Sequence, residues 1–159
     1  RTEERGMIRG YQFNKVEMVQ YTKPEDSDAA FEELVNKAEG LVKGLGLHYQ
    51  VSKLAAGDIS HSMARTYDIE VYIPSIDIYK EVSSASNARD YQARRGMCRY
   101  RDKATGKTKY VHTLNASGLA TSRIFPAILE QYQQEDGSVL VPEVLQPFMG
   151  GIKVLKPIK

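Results

Sequence analysis

Cys98 and His112 are residues of the types that nucleophilic catalysis through an activated thiolate uses. Cys98 stands beside Arg99 in a strand-like stretch, so a packed, inert thiol is the plainer expectation. The histidines at 48, 61 and 112 do not recur at metal-ligand spacing, and a single Cys completes no zinc set. No Gly-rich run ends in Gly-Lys-Ser or Gly-Lys-Thr, so a P-loop phosphate cradle is missing. A dinucleotide fingerprint and the Gly-x-Ser-x-Gly nucleophile elbow are missing too. Residues 89–109 concentrate charge: eight Lys and Arg stand against Asp90 and Asp102, a net +6. That is either a field for an anionic partner or a solvated hairpin with its tip at Lys103–Lys107. The hairpin is the plainer reading for the tip, while Arg94 and Arg95 admit both.

The elements that must hold such residues follow from periodicity. The chain has 159 residues, 42% hydrophobic and 26% charged, with a net charge of +2. That composition predicts an ordinary globular domain and argues against a nucleic-acid coat. No apolar run is long enough to span a membrane. Residues 6–22 predict a strand, straight or bulged, that ends at Lys23-Pro24. Residues 26–45 predict a helix capped by Asp26, Ser27 or Asp28. Phe31, Leu34, Val35, Ala38, Leu41, Val42 and Leu45 share one face of it, and Gly44 and Gly46 stop it. Strands are expected at 48–55, 65–73, 78–85 and 108–114. In the second, Tyr67, Ile69, Val71 and Ile73 alternate with Asp68, Glu70 and Tyr72. Residues 117–134 predict a second helix, bent or broken at Pro126, and residues 152–159 a loosely held basic tail. Successive strands with few intervening helices predict an α+β fold with an antiparallel sheet flanked by helices.

Four ordered segments carry a resemblance: Arg1-Thr2-Glu3 followed by GMIRGYQFNKVE at 6–17; AAGDIS at 55–60 with ARTYDIEVYIPS at 64–75; YKEVSSASNARDYQARR at 79–95; and the stretch from VHTLNASGLATSR onward over 111–151. Together they resemble the catalytic core of the class II aminoacyl-tRNA synthetases, from motif 2 through motif 3. EVSS, Asn-x-Ser-Gly-Leu-Ala and YQQEDGS are similar to the seryl branch in particular.

The resemblance implies a serine–tRNA ligase that joins L-serine to ATP as seryl-adenylate and passes it to the 3′ end of tRNA(Ser). It implies Arg1, Glu81 and Arg123 as catalytic residues, with Arg1 on the α-phosphate and Arg123 on the far phosphates. Thr2, Glu3, Phe13, Val82, Ser83 and Ser84 would join Arg1, Glu81 and Arg123 in binding ATP, Glu3 at the adenine amino group and Phe13 stacked on the ring. An ordinary core aromatic is an equal alternative for Phe13. Glu81 and Ser84 would carry Mg²⁺; zinc is not expected. Glu17, Asn115 and Ser117 would bind serine, although a solvent-facing strand residue is the plainer role for a lone Glu17. The +6 segment would attract ATP or the acceptor end of tRNA.

The same resemblance implies a core over residues 1–151, incomplete at its N-terminus, with the tail at 152–159. It implies a homodimer for a full-length parent, no membrane partner, and a cytoplasmic location with an organellar form left open. The family's tRNA-binding arm, motif 1 and Thr-x-Glu loop are not in this sequence. Ala116 and Ser122 stand at usual Gly positions, and Ala55-Ala56 replace a usual Cys-Thr. The alternatives are a synthetase-like paralogue that charges no tRNA and an adenylate-forming ligase that loads a carrier protein.

Overall fold

The computed structural model describes residues 6–158. Strand β1 (Lys15–Thr22) leads into helix α1 (Ser27–Gly44), then β2 (Tyr49–Lys53), β3 (Arg65–Ile73) and β4 (Ile78–Arg89). A short helix α2 (Tyr91–Gly96), the hairpin strands β5 (Arg99–Arg101) and β6 (Thr108–Tyr110), then β7 (His112–Ala120) and helix α3 (Thr121–Tyr132) follow. Strands β8 (Val139–Leu140) and β9 (Val154–Leu155) close the chain. The main sheet is wholly antiparallel, in the order β1-β7-β4-β3-β2. This is the α+β architecture that the strand-rich pattern predicts.

Alternation divides the two faces of that sheet. Ile69, Val71, Ala85, Leu114 and Ala116 point to one side, where the α1 residues Phe31, Leu34, Val35, Ala38 and Val42 cover them. Phe31 is fully buried and meets the Tyr67 ring edge-on, with ring centres 5.5 Å apart. Truncating it leaves a cavity in rigid surroundings, so Phe31→Ala is expected to cost about 3–5 kcal/mol. Denaturant unfolding checks this: the midpoint should fall with little change in slope. The other face keeps the polar set of β2, β3, β4 and β7, while β1 presents Val19 and Tyr21 there beside Glu17.

Several boundaries differ from the sequence expectation, for identifiable reasons. The strand expected over 6–22 begins only at Lys15; Gly6–Ile8 is a 3-10 turn. Lys15 pairs with Ala120, where β7 ends and α3 begins, so residues 9–14 have no β7 strand left to pair with. Residues 117–120, expected in the second helix, finish β7 instead. Ser117 pairs with Glu17 and Ala120 with Lys15, and the ladder to β1 outweighs the helical pattern. Helix α3 runs on through Pro126, whose ring is buried, so no break falls there. Leu41 of the expected apolar face is 41% exposed. Asp26 is the N-cap of α1 but makes no side-chain cap bond. Ser27 instead is buried and accepts a 2.7 Å hydrogen bond from Asn87 Nδ2. Cys98, expected to be packed, is exposed. The tail is pinned more than expected: β9 pairs with β8, and the Val141 amide donates to the Lys153 carbonyl at 2.9 Å.

Candidate active site on the open face of the sheet

The polar face of the sheet collects side chains that lie far apart in sequence. Glu17 on β1 stands opposite Ser117 on β7, with Asn115 two residues along on the same face. Asn115 Nδ2 donates to Glu17 Oε1 at 2.9 Å, and Ser117 Oγ donates to Oε2 at 3.2 Å. Lys15 Nζ completes the set 3.0 Å from Oε2. Partial burial pushes the Glu17 pKa up, but the bonds from Asn115, Lys15 and Ser117 and the Lys15 charge outweigh it, and the net shift is downward. Glu17 is thus a fixed, ionised carboxylate with hydroxyl and amide groups beside it, suited to a ligand that carries both an ammonium and a hydroxyl. The folded chain holds this proton less tightly than the unfolded chain does. The ionised form therefore adds stability above the usual carboxylate range, and that contribution fades as the pH falls through the lowered pKa. A carboxyl-carbon NMR titration should place the Glu17 midpoint below the usual carboxylate value, and Lys15→Ala should move it upward.

A second group depends on a bulge. Ile69 pairs with Ser83, but Glu70 pairs with Glu81, so β4 carries one extra residue there. Residues three apart in a regular strand face opposite ways; the extra residue puts Glu81 and Ser84 on the same face, with Glu70 and Asp68 opposite them on β3. Val82 and Ser83 are buried. The Ser83 hydroxyl donates to the Ser117 carbonyl at 2.7 Å, so it ties β4 to β7.

Arg123 sits in the first turn of α3, directly after the end of β7. Its Nη1 donates to the Glu81 carbonyl at 2.8 Å and lies 3.8 Å from Glu81 Oε2. This anchorage holds the guanidinium over a cleft of about 360 Å³ lined by Arg9, Phe13, Lys15, Glu81, Val82, Ser117 and Arg123, among others. Three cationic side chains around the cleft, with a helix start beside it, make it receptive to a polyanion. Phe13 is half exposed at the mouth, so it is not a core aromatic. Arg1, Thr2 and Glu3 lie outside the described residues.

Asp68, Lys15 and Arg9 belong to this face and were not singled out from sequence. Alternation along β3 does leave Asp68 on the polar side; what sequence does not show is its register against Ser84. Asp68 is only 9% exposed, and its Oδ1 has no hydrogen-bond partner among the described residues. Burial raises its pKa to about 6; a hydrogen bond from Ser84 opposes the rise, and the Glu81 and Glu70 charges add to it. Glu70 itself accepts from Gln50 Nε2 at 2.7 Å and Ser52 Oγ at 2.9 Å, both on Oε2.

The basic segment divides. Arg94 bridges Asp90 at 2.7 Å and covers the Tyr110 ring, and Arg95 lies 3.5 Å over the Tyr91 ring. Lys109 is bonded to Asp102. These contacts make Arg94 and Arg95 local braces of α2 and the hairpin. Among the described residues, no group of three or more His, Cys, Asp or Glu is placed to hold a metal ion. No helix among the described residues is long and apolar enough to cross a membrane.

An antiparallel sheet with helices on one face and a polar cleft on the other, walled by a strand pair and an arginine at a helix start, is the plan of a class II synthetase core. Residues 1–132 match the model of the tRNA synthetase class II core domain (G, H, P, S and T), and the chain belongs to that family. Within it, the chain is 72% identical over 154 residues to "Serine--tRNA ligase 2" of Clostridium acetobutylicum, covering 97% of this chain and 36% of that one. It superposes on the seryl-tRNA synthetase of Pyrococcus horikoshii complexed with ATP at a TM-score of 0.93, with 42% identity. That match covers 99% of this chain and 35% of the other. The cytoplasmic serine–tRNA ligase of Naegleria fowleri in complex with AMP matches at a TM-score of 0.89 and 37% identity, over 97% of this chain and 37% of that one. The chain thus spans about a third of the length of these relatives.

Proposed function

We propose that this chain carries the catalytic core of a serine–tRNA ligase over residues 1–151, which activates L-serine with ATP and passes it to the 3′ end of tRNA(Ser). The observation that carries the reading is the placement of Glu17, Asn115 and Ser117 beside the cleft that Arg123 overhangs. The relatives named above are serine–tRNA ligases, and two of them were solved with ATP or AMP.

Glu17 takes the serine ammonium, and Asn115 and Ser117 are placed to meet the hydroxyl. This leaves the serine carboxylate facing the cleft. One of its oxygens bonds to the α-phosphorus of ATP while the bond from that phosphorus to the bridging oxygen breaks, and pyrophosphate leaves with that electron pair. Little covalent work falls to the protein; it positions the reactants and offsets charge. Arg123 holds the departing phosphates, Arg1 is assigned to the α-phosphate and Glu3 to the adenine amino group, and Phe13 offers a face for the adenine. In the second step a terminal ribose hydroxyl of tRNA attacks the seryl carbonyl and AMP leaves.

Mg²⁺ is the group this family implies. The donor set fits a hard cation: a carboxylate at Glu81 and a hydroxyl at Ser84 share one face and would hold it. When bound, it offsets charge on the phosphates. We assign no zinc to this site. A homodimeric parent and a cytoplasmic location are part of the same reading. The test is transfer of labelled L-serine to tRNA by the longest chain that contains this sequence, with L-threonine and L-alanine in parallel. Serine-selective charging supports the reading; equal charging of the three, or none by a folded chain, overturns it.

A further inference from the structure

Lys15 stands where two ligand sites meet. It is the first residue of β1 and shares the open face with Glu17, two positions along. Its Nζ lies 3.0 Å from Glu17 Oε2, an oxygen that also accepts from Ser117 Oγ at 3.2 Å. The other oxygen, Oε1, takes Asn115 Nδ2 at 2.9 Å. The carboxylate thus already holds a cation where the serine ammonium is assigned. Two ammonium groups on one carboxylate repel each other at close range, so one of them has to yield. Lys15 can yield at small cost. Its side chain is 44% exposed and that of Glu17 31%, and an ion pair so open to water contributes little to the fold. The lysine stem is long and flexible, with a compact charge at its tip.

The same side chain lines the cleft, together with Arg9 and Arg123. Its partner on β7, Ala120, directly precedes the helix that carries Arg123. Arg123 gives Nη1 to the Glu81 carbonyl at 2.8 Å, so part of its donor fork is already spent. A lysine released from Glu17 remains on the wall of a cleft suited to phosphates, where a further cation has a use. We propose that Lys15 is an exchangeable counter-ion: it holds Glu17 while the serine site is empty, and once the serine ammonium replaces it, its Nζ binds the phosphates of the nucleotide. Serine then tightens the nucleotide, and by linkage the nucleotide tightens serine by the same factor. The inference rests on the reading of Glu17 as the ammonium site and of the cleft as the nucleotide site.

The experiment measures binding of α,β-methylene-ATP, whose bridge keeps pyrophosphate from leaving, by isothermal titration calorimetry with Mg²⁺ on the longest chain that contains this sequence. Each titration is run with and without saturating L-serine. Adenosine replaces the nucleotide in a parallel series, L-serine alone is titrated into each chain, and thermal melting is recorded alongside. The variants are Lys15→Met, Glu17→Gln and the Lys15→Met/Glu17→Gln pair. In the parent, serine should tighten the nucleotide about 5–20-fold and leave adenosine within about twofold. In Lys15→Met that factor should fall to about one, while serine alone binds no more weakly than to the parent, because its competitor is gone. Glu17→Gln releases Lys15 with no serine present, so it should bind the nucleotide alone about 5–20-fold tighter than the parent does, and Lys15→Met should abolish the gain. A merely structural Lys15 would lower the melting temperature and weaken both ligands without touching the coupling. Parent coupling below about twofold overturns the inference, as does coupling unchanged in folded Lys15→Met, coupling of the same size with adenosine, or a Glu17→Gln gain that persists without Lys15. If serine binds undiminished to Glu17→Gln, or the folded parent fails to bind either ligand, the reading of the site itself falls, and this inference with it.

Discussion

Glu17→Ala is expected to lower kcat/KM for serine by about 10²–10³, with KM for ATP changed little. Two neutral donors and Lys15 converge on this carboxylate, and a ligand ammonium would be the second cation on it. A hydrogen bond to a charged group contributes about 1.5–3 kcal/mol, and about 1.4 kcal/mol is tenfold. Truncation removes the charge and also leaves Asn115 and Ser117 without their shared acceptor, so the loss exceeds that of a single bond. Glu17→Gln keeps the shape and one acceptor oxygen but not the charge. It should fall between the parent and the alanine variant, which separates the charge from the packing. Steady-state kinetics over a serine titration at fixed, saturating ATP checks both. A chain whose Glu17 is only a solvent-facing strand residue would show less than a threefold change.

Arg123→Ala should reduce kcat by about 10²–10³, the usual scale for removing a donor aimed at charge that develops in the transition state. The guanidinium is held at two points, the Glu81 carbonyl and carboxylate, and is three-quarters buried. It is therefore preorganised before any nucleotide arrives. Arg123→Lys keeps one charge but lacks the planar fork, so it cannot hold the Glu81 carbonyl and a phosphate together; it should recover no more than about tenfold of the loss. Pre-steady-state measurement of pyrophosphate release separates this effect on chemistry from one on product release. Loss confined to KM for ATP would mean that Arg123 binds the ground state and the transition state equally.

Much of this arrangement was legible before the structure. Helix α1 follows from the spacing of Phe31, Leu34, Val35, Ala38 and Val42, and β3 from strict alternation, because local burial on one face leaves a periodic trace. The resemblance picked out Glu17, Glu81, Ser117 and Arg123; the fold sets Glu81, Ser117 and Arg123 around one cleft, with Glu17 bonded to Ser117 beside it. Registers and bulges were not legible. The extra residue on β4 that turns Glu81 and Ser84 to the same side is a property of the pairing between two strands, and neither strand shows it alone. Asp68 was hidden for the same reason: in sequence it is one more polar residue of an alternating strand, and only its pairing with Ser84 and its burial set it apart. Residues 117–120 misled because Leu119 continues the apolar spacing of the helix behind it, while the ladder to β1 decides the matter from a distance. The tail misled because its two-residue pairing with β8 depends on residues fourteen or more positions away.

Glu17 and its two strand neighbours are proposed to select serine for activation in the cleft under Arg123. Serine-dependent exchange of labelled pyrophosphate into ATP, run with Mg²⁺ on the longest chain containing this sequence, tests it most directly. Exchange is expected with L-serine, far less with L-threonine or L-alanine, and is expected to be lost in Glu17→Ala. Exchange that is equal for the three amino acids, or that survives in Glu17→Ala, would contradict it.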